Sequence, residues 1–204
     1  MKKRMFIVGG SLLLILVVIA CIYPLTQKKE SQNFAENSTD ISVEAKVDEY
    51  QSLEAIENNV EIIVKVEKTS EEEPIIWRNE HGSVYFVGTI GNVKITEIYK
   101  NESDRQLETG DTIPVFENEA YDSKENVTYH VADYKKMSEG KEYILFLNYS
   151  DGDQWYVLCS AVWGKYPLDN SEPILYKGDD SRAVMDSSYD LIDQIGLEVI
   201  DKYH

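Results

Sequence analysis

Two kinds of hydrophobic pattern divide the chain. Near its start, Met5 to Leu25 runs without a charged residue. Beyond it, apolar residues alternate with polar ones in short stretches separated by Gly, Asn, Asp and Ser. Such alternation over about four to eight residues marks a half-buried strand. VEIIVKVEK, residues 60–68, puts Val60, Ile62, Val64 and Val66 on one face. Residues 83–101 are rich in β-branched and aromatic types but too long for one straight strand of ordinary length. Gly88 and Gly91 inside that stretch predict a bulge or bend. DTIPVFENEA, residues 111–120, predicts a further strand, with Pro114 marking an edge or a bulge. Glu142–Leu147 and Trp155–Leu158 predict a hairpin across the polar stretch Asn148–Gln154, with Gly152 available for positive φ.

Helical spacing occurs twice. VDEYQSLEAIENN, residues 47–59, predicts one short helix capped by Asp48, with Tyr50, Leu53 and Ile56 inward and Asn58-Asn59 at its end. The last stretch, 185–204, predicts an amphipathic helix capped by Asp186. Tyr189, Ile192, Ile195, Val199 and Tyr203 share its inner face, and Gly196 marks a close packing point. EPILYK, residues 172–177, reads as an edge strand. Ile75-Ile76-Trp77 reads as an apolar knot in a charged excursion. Asp122–Ser138 reads as irregular, with a turn of helix near Tyr134 and Met137. The chain thus divides into a membrane anchor or signal segment (1–25), a flexible linker (26–46) and a mainly β domain (47–204).

The first segment supports three readings. Met5 to Leu25 is 21 residues long, and about 20 apolar residues span a bilayer core. Lys2, Lys3 and Arg4 before it favour a cytoplasmic N-terminus, which leaves the domain outside. Val18-Ile19-Ala20-Cys21 also resembles a bacterial lipobox, which would make Cys21 the lipid-attachment residue of a lipoprotein. In that reading Val18 stands where Leu is commoner, and the apolar Ile22–Leu25 follows. A cleaved secretory signal is the third. The first two give a domain at the cell membrane, facing outside, single-pass or lipid-anchored.

Charge narrows the partners. Three of the 20 basic residues precede the apolar run, which leaves 17 against 37 acidic residues, a net of −20. That excludes phosphate-reading nucleic-acid binding and a charge-driven pull toward anionic lipid. Of two cysteines, only Cys159 lies in the domain, so no disulfide framework exists there. Alternation places Cys159 on one face with Trp155, Val157, Ala161 and Trp163, as a buried thiol. His81, His130 and His204 have no partners at metal-ligand spacing, and His81 and His130 read as loop or surface residues. Asp151-Gly152-Asp153 lacks the spacing of a calcium loop and reads as a turn. Glu71–Glu73 and Asp179-Asp180 read as solvated loops. Trp77, Tyr85, Tyr99, Tyr121, Tyr129, Tyr134 and Tyr149 read as packing residues or as an aromatic patch for a peptide or glycan.

The order of elements carries a resemblance. An apolar strand and a long bent strand ending in TEIYKN are followed by Leu107, Gly110, Asp111, Ile113 and Val115. Then come Met137, Glu139 to Leu147 (EGKEYILFL) and a paired strand. This order, over residues 47–167, resembles the OB-like barrel of the tissue-inhibitor-of-metalloproteinase and netrin-module group. It is most similar to versions found in uncharacterised membrane-tethered bacterial surface proteins. The resemblance implies a five-stranded OB-like barrel with a short N-terminal helix and a C-terminal amphipathic helix. It implies no activity, because the eukaryotic inhibitors chelate zinc through a disulfide-fixed N-terminal Cys that this domain lacks.

The expectation is therefore a membrane-anchored, extracytoplasmic binding or interaction module without catalysis, cofactor or metal. Its expected partners are the membrane, through the N-terminal segment, and an envelope protein or peptide, with no nucleic acid. Three rivals stay open: an inhibitor of a cell-envelope protease, an enzyme using dispersed carboxylates, and a structural envelope lipoprotein.

Overall fold

The β-branched residues between positions 60 and 100 pair in register as a long antiparallel ladder. In the computed structural model, which describes residues 38–169, 171–178 and 186–204, strand β2 (Ile62–Glu71) lies against β4 (Val84–Asn101). The anchor or signal segment and Cys21 lie outside the described residues. Among the described residues, no helix is long and apolar enough to cross a membrane.

The remaining strands are β1 (Thr39–Val43), β3 (Ile75–Arg78), β5 (Thr112–Glu117), β6 (Glu119–Asp122), β7 (Val127–Val131), β8 (Glu142–Ser150), β9 (Trp155–Leu158) and β10 (Lys165–Pro167). Two helices accompany them, α1 (Leu53–Asn58) and α2 (Asp186–Tyr203). The chain is mainly β, as the alternation predicts.

Five strands close a ring. β2 pairs antiparallel with β4 on one edge and with β8 on the other. β4 pairs with β5, β5 runs parallel to β9, and β9 returns antiparallel to β8. Successive side chains alternate across such strands, so one set fills the ring. Val64, Val66, Val93, Ile95, Val115, Leu145 and Leu147 are completely buried there. The opposite face of β8 is covered: Phe146 meets Tyr166 and Tyr203 edge-on. Ile192, Ile195 and Val199 are the buried face of α2, as predicted. At Gly196, a Cβ would sit 3.0 Å from Ile174, so the expected close approach is present.

The two glycines of β4 have different roles. Residues 84–101 form one strand, bent by register shifts against β2 after Ile63, Lys65 and Lys68. Inside the ring, a Cβ on Gly91 would overlap the Lys68 ammonium and the Glu117 carboxylate. Those two side chains form an ion pair with no solvent exposure. Glu117 also accepts hydrogen bonds from the Tyr134 hydroxyl (3.1 Å) and the Met137 N–H (2.7 Å). On the outside, a Cβ on Gly88 would overlap the Phe116 ring.

Past Glu117 the chain leaves the ring and builds a second, three-stranded sheet ordered β1-β7-β6. Val87, Ala120 and Tyr129 form a small separate cluster between this sheet and the β3–β4 hairpin.

Several expectations are corrected. Residues 39–43, in the stretch read as linker, form β1 parallel to β7. Four of the five residues of β1 are exposed, and its only apolar residues are Ile41, itself exposed, and Val43, which packs on the small cluster, so its apolar pattern is too short to read as a strand. Asp122–Ser138 contains β7 rather than a turn of helix. The apolar knot at Ile75 is strand β3. EPILYK contributes only one bridge, Leu175 to Tyr134. The helix cap is Ser52, whose hydroxyl accepts from the Ala55 N–H, rather than Asp48. Asp186 is the first residue of α2. In the hairpin turn, positive φ falls on Gln154 (65°) and not on Gly152.

The Lys68–Glu117 pair generates a stability prediction. Truncating Glu117 (E117A) strands a buried ammonium and costs about 3–5 kcal/mol, whereas the double variant K68M/E117L restores much of it. Urea unfolding of the detergent-solubilised chain measures both; equal losses in the single and double variants would contradict the assignment.

A candidate binding face and the polar network behind it

A strip of aromatic rings crosses strands β3, β4, β5 and β9. Its geometry starts with a bulge. Trp77 pairs with Phe86 and Arg78 with Val84, so Tyr85 is the extra residue on β4. A bulge re-aims side chains, and here Tyr85 and Phe86 both reach Trp77. The ring centroids lie 6.2 Å and 4.6 Å from that of Trp77, respectively. Phe86 then stacks on Phe116 at 5.4 Å, and Phe116 on Trp155 at 5.6 Å. The strip therefore spans β3, β4, β5 and β9.

Phe116 can lie flat because Gly88 beneath it has no side chain. Ile90, paired with Phe116, is buried under the same strip. Further along the outward face of β4 the residues turn polar, Asn92 and Lys94. The apolar area is thus confined to one end. Trp77 is 51% exposed and Tyr85 66% exposed. Phe86 and Trp155 are half-buried and Phe116 is buried, so the strip opens to solvent mainly at Trp77 and Tyr85, and Trp and Tyr are residue types enriched in interaction sites.

Behind the strip, between the ring and the small sheet, lies a buried polar network. His130 is 1% exposed, contrary to its reading as a surface residue. Its Nδ1 lies 3.0 Å from Glu119 and its Nε2 3.3 Å from Asp40. Tyr176 stacks on the imidazole at 3.8 Å with planes 2° apart. Burial alone would push the His130 pKa down, but the Glu119 bond and charge, with Asp40, raise it. Burial likewise opposes ionisation of Glu119, and His130 with Lys135 outweighs it to hold that carboxyl low. Lys165, fully enclosed over the Tyr134 ring, is pushed down to about 8 by burial. Asp133 accepts from Ser42 on β1 and Tyr189 on α2, which ties three segments together.

The other residues singled out in the sequence are dispersed. Cys159 is buried, with its thiol pushed up by burial, but it follows a strand whose buried residues are Tyr156 and Leu158. Cys159 lies in the turn just past that strand, with its sulfur beside the Asn59 amide. His81 is 81% exposed at the tip of the β3–β4 hairpin, and His204 is exposed at the end of α2. Asp151 pairs with Arg105, and Asp153 accepts from Ser150, as expected of a turn. Glu71 pairs with Lys136, while Glu72 and Glu73 are exposed. Tyr129 and Tyr134 are buried packing residues. Asp179-Asp180 lie outside the described residues. Among the described residues, no group of three or more metal-ligating side chains comes together.

No protein-family model matches the chain, and no curated protein matches it by sequence. Its candidate site rests on the strip itself. Sequence reading identified Trp77 and Tyr85 but missed Phe86, Phe116 and Trp155, which join them only through the bulge and the parallel β5–β9 contact.

The network generates a pH dependence. A raised His130 pKa gives stability that is fully present below the unfolded value of about 6.5 and lost as pH rises through the folded value. The thermal midpoint of the chain should fall as pH is raised above about 6.5, and H130Q should remove that part of the fall. Identical pH profiles for the two proteins would contradict it.

Proposed function

We propose that this chain is an extracytoplasmic binding module, tethered at the cell membrane by its N-terminal segment, that takes its ligand on the aromatic strip. The carrying observation is the strip: five rings in contact, Tyr85, Trp77, Phe86, Phe116 and Trp155, exposed at the Trp77–Tyr85 end.

The ring supports reading the domain as an OB-like barrel. Its order, β2-β4-β5-β9-β8, combines a three-strand meander, one parallel contact and a returning hairpin. OB-like barrels take oligomeric ligands on their second and third strands, which here correspond to β4 and β5. The charge-free run Met5 to Leu25 behind Lys2, Lys3 and Arg4 supports the tether and the outward orientation. A binding role rather than catalysis is supported by the state of the perturbed groups. His130, Glu119 and Lys165 are enclosed, and each bonds within the chain.

The test compares the full-length chain with W77A/W155A, both reconstituted in nanodiscs, as bait for components of the envelope. Loss of the exposed Trp77 indole and the half-buried Trp155 indole should weaken capture at least about tenfold, in a chain that still unfolds cooperatively at a midpoint well above the assay temperature. Capture of the same components at the same strength by the double variant would remove the strip as the binding surface.

A further inference from the structure

Strand β3 offers more than a side chain to the strip. It pairs with β4 on one edge only. Alternate residues of Ile75–Arg78 turn their backbone groups to the other edge, where, among the described residues, no strand pairs with β3 and no turn or loop backbone bond meets it. The contrast with β2, immediately upstream, is sharp. That strand is covered on the same side by β8 as far as Glu67. Lys68 then donates to the Lys141 carbonyl at 3.0 Å and accepts from the Gly140 N–H at 2.8 Å. Beyond Glu71 the covering stops and the edge opens.

An open edge of unpaired N–H and C=O groups is a template for another strand, and natural sheets usually blunt it with Lys or a covering segment. Here the edge reads Ile-Ile-Trp-Arg. Its one charge, Arg78, is turned away to Asp122 and Glu125. Ile75 and Trp77 alternate onto one face, where a neighbouring strand would lay its own alternate side chains.

The flanks select the occupant. Glu72 and Glu73 are exposed and have no cationic partner among the described residues. Glu80 follows at the hairpin tip, beside only the exposed His81. An incoming strand therefore gains from lysines or arginines at its ends and loses from acids. We propose that β3 binds an extended, lysine-rich peptide strand by backbone pairing along Ile75–Arg78, with alternate apolar side chains laid against Ile75 and Trp77. Addition of a strand to a sheet edge is a known mode of peptide recognition, in which backbone bonds give affinity and alternate side chains give specificity. This inference rests on the strip being a binding face and names what that face receives.

The test uses the full-length chain in nanodiscs of neutral lipid. The probe is a fluorescent peptide of alternating Lys and Val, seven residues long. Its comparisons are the same peptide with Glu for Lys, the same peptide N-methylated at alternate residues, and a hexamer of N-acetylglucosamine. Anisotropy should show the lysine peptide binding and the glutamate peptide not binding. N-methylation removes the backbone donors and should weaken binding at least about tenfold. E72Q/E73Q should weaken it a few-fold, as should added salt. Hydrogen exchange should slow at amides within Ile75–Arg78 when the peptide is bound.

Equal affinity for the N-methylated peptide would overturn the inference, as would protection elsewhere on the chain. If the sugar hexamer binds, is lost in W77A/W155A, and the lysine peptide does not bind, the peptide inference fails while the binding face stands. If W77A/W155A also captures envelope components unchanged, both fail.

Discussion

The buried pairing of Lys68 with Glu117 is the interaction on which the rest of the arrangement depends. Both side chains lie inside the ring with no exposure. Glu117 accepts from Lys68, Tyr134 and the Met137 backbone together, so its charge is shared among three donors. A buried ion pair is weak evidence for net stability, because desolvation offsets the attraction. It is strong in setting register, since a slip of one residue along β5 would turn Glu117 outward and leave Lys68 alone. Gly91 is the condition for it, because any side chain there would fill the space the pair occupies.

That fixed register also builds the outer face. Glu117 points in, so Phe116 points out. Phe116 settles over Gly88 and joins Phe86 to Trp155. Each near-parallel ring pair adds about 0.5–1.5 kcal/mol beyond the area it buries, which holds the strip in order without a ligand. The strand then leaves the ring after Glu117, and Glu119 enters the second sheet to meet His130. One short stretch of β5–β6 thus serves the interior, the candidate binding face and the seam to the small sheet.

The periodicities that made this fold legible were those with a buried apolar face. β2, the β8–β9 hairpin and α2 could each be read from the alternation or spacing of Val, Ile, Leu and Phe. The bend of residues 83–101 was announced by Gly88 and Gly91. Where stability comes from polar contacts instead, the pattern is silent. β1 is mostly exposed and is held to β7 by backbone pairing and by bonds such as Ser42 to Asp133. β7 buries Thr128 and His130, residues that a hydrophobic reading places in solvent. The buried His130 had no local signal, because its partners Asp40, Glu119 and Tyr176 lie far from it in sequence or on other segments. The strip was half legible: exposed aromatics could be counted, but their union needs a bulge and a parallel strand pair.

The strip lies on β3, β4, β5 and β9, whereas α2 packs against Phe146 of β8, and this makes one measurement decisive. A photo-crosslinking amino acid can be placed at Tyr85 in the strip, or at Leu197, which is 69% exposed on α2. The full-length chain is then irradiated in the cells that produce it. A discrete adduct from position 85, absent from position 197 and lost when Trp77 and Trp155 are replaced by Ala, is the predicted result. Adducts from position 197 alone, or the same adducts from both positions, would contradict the account.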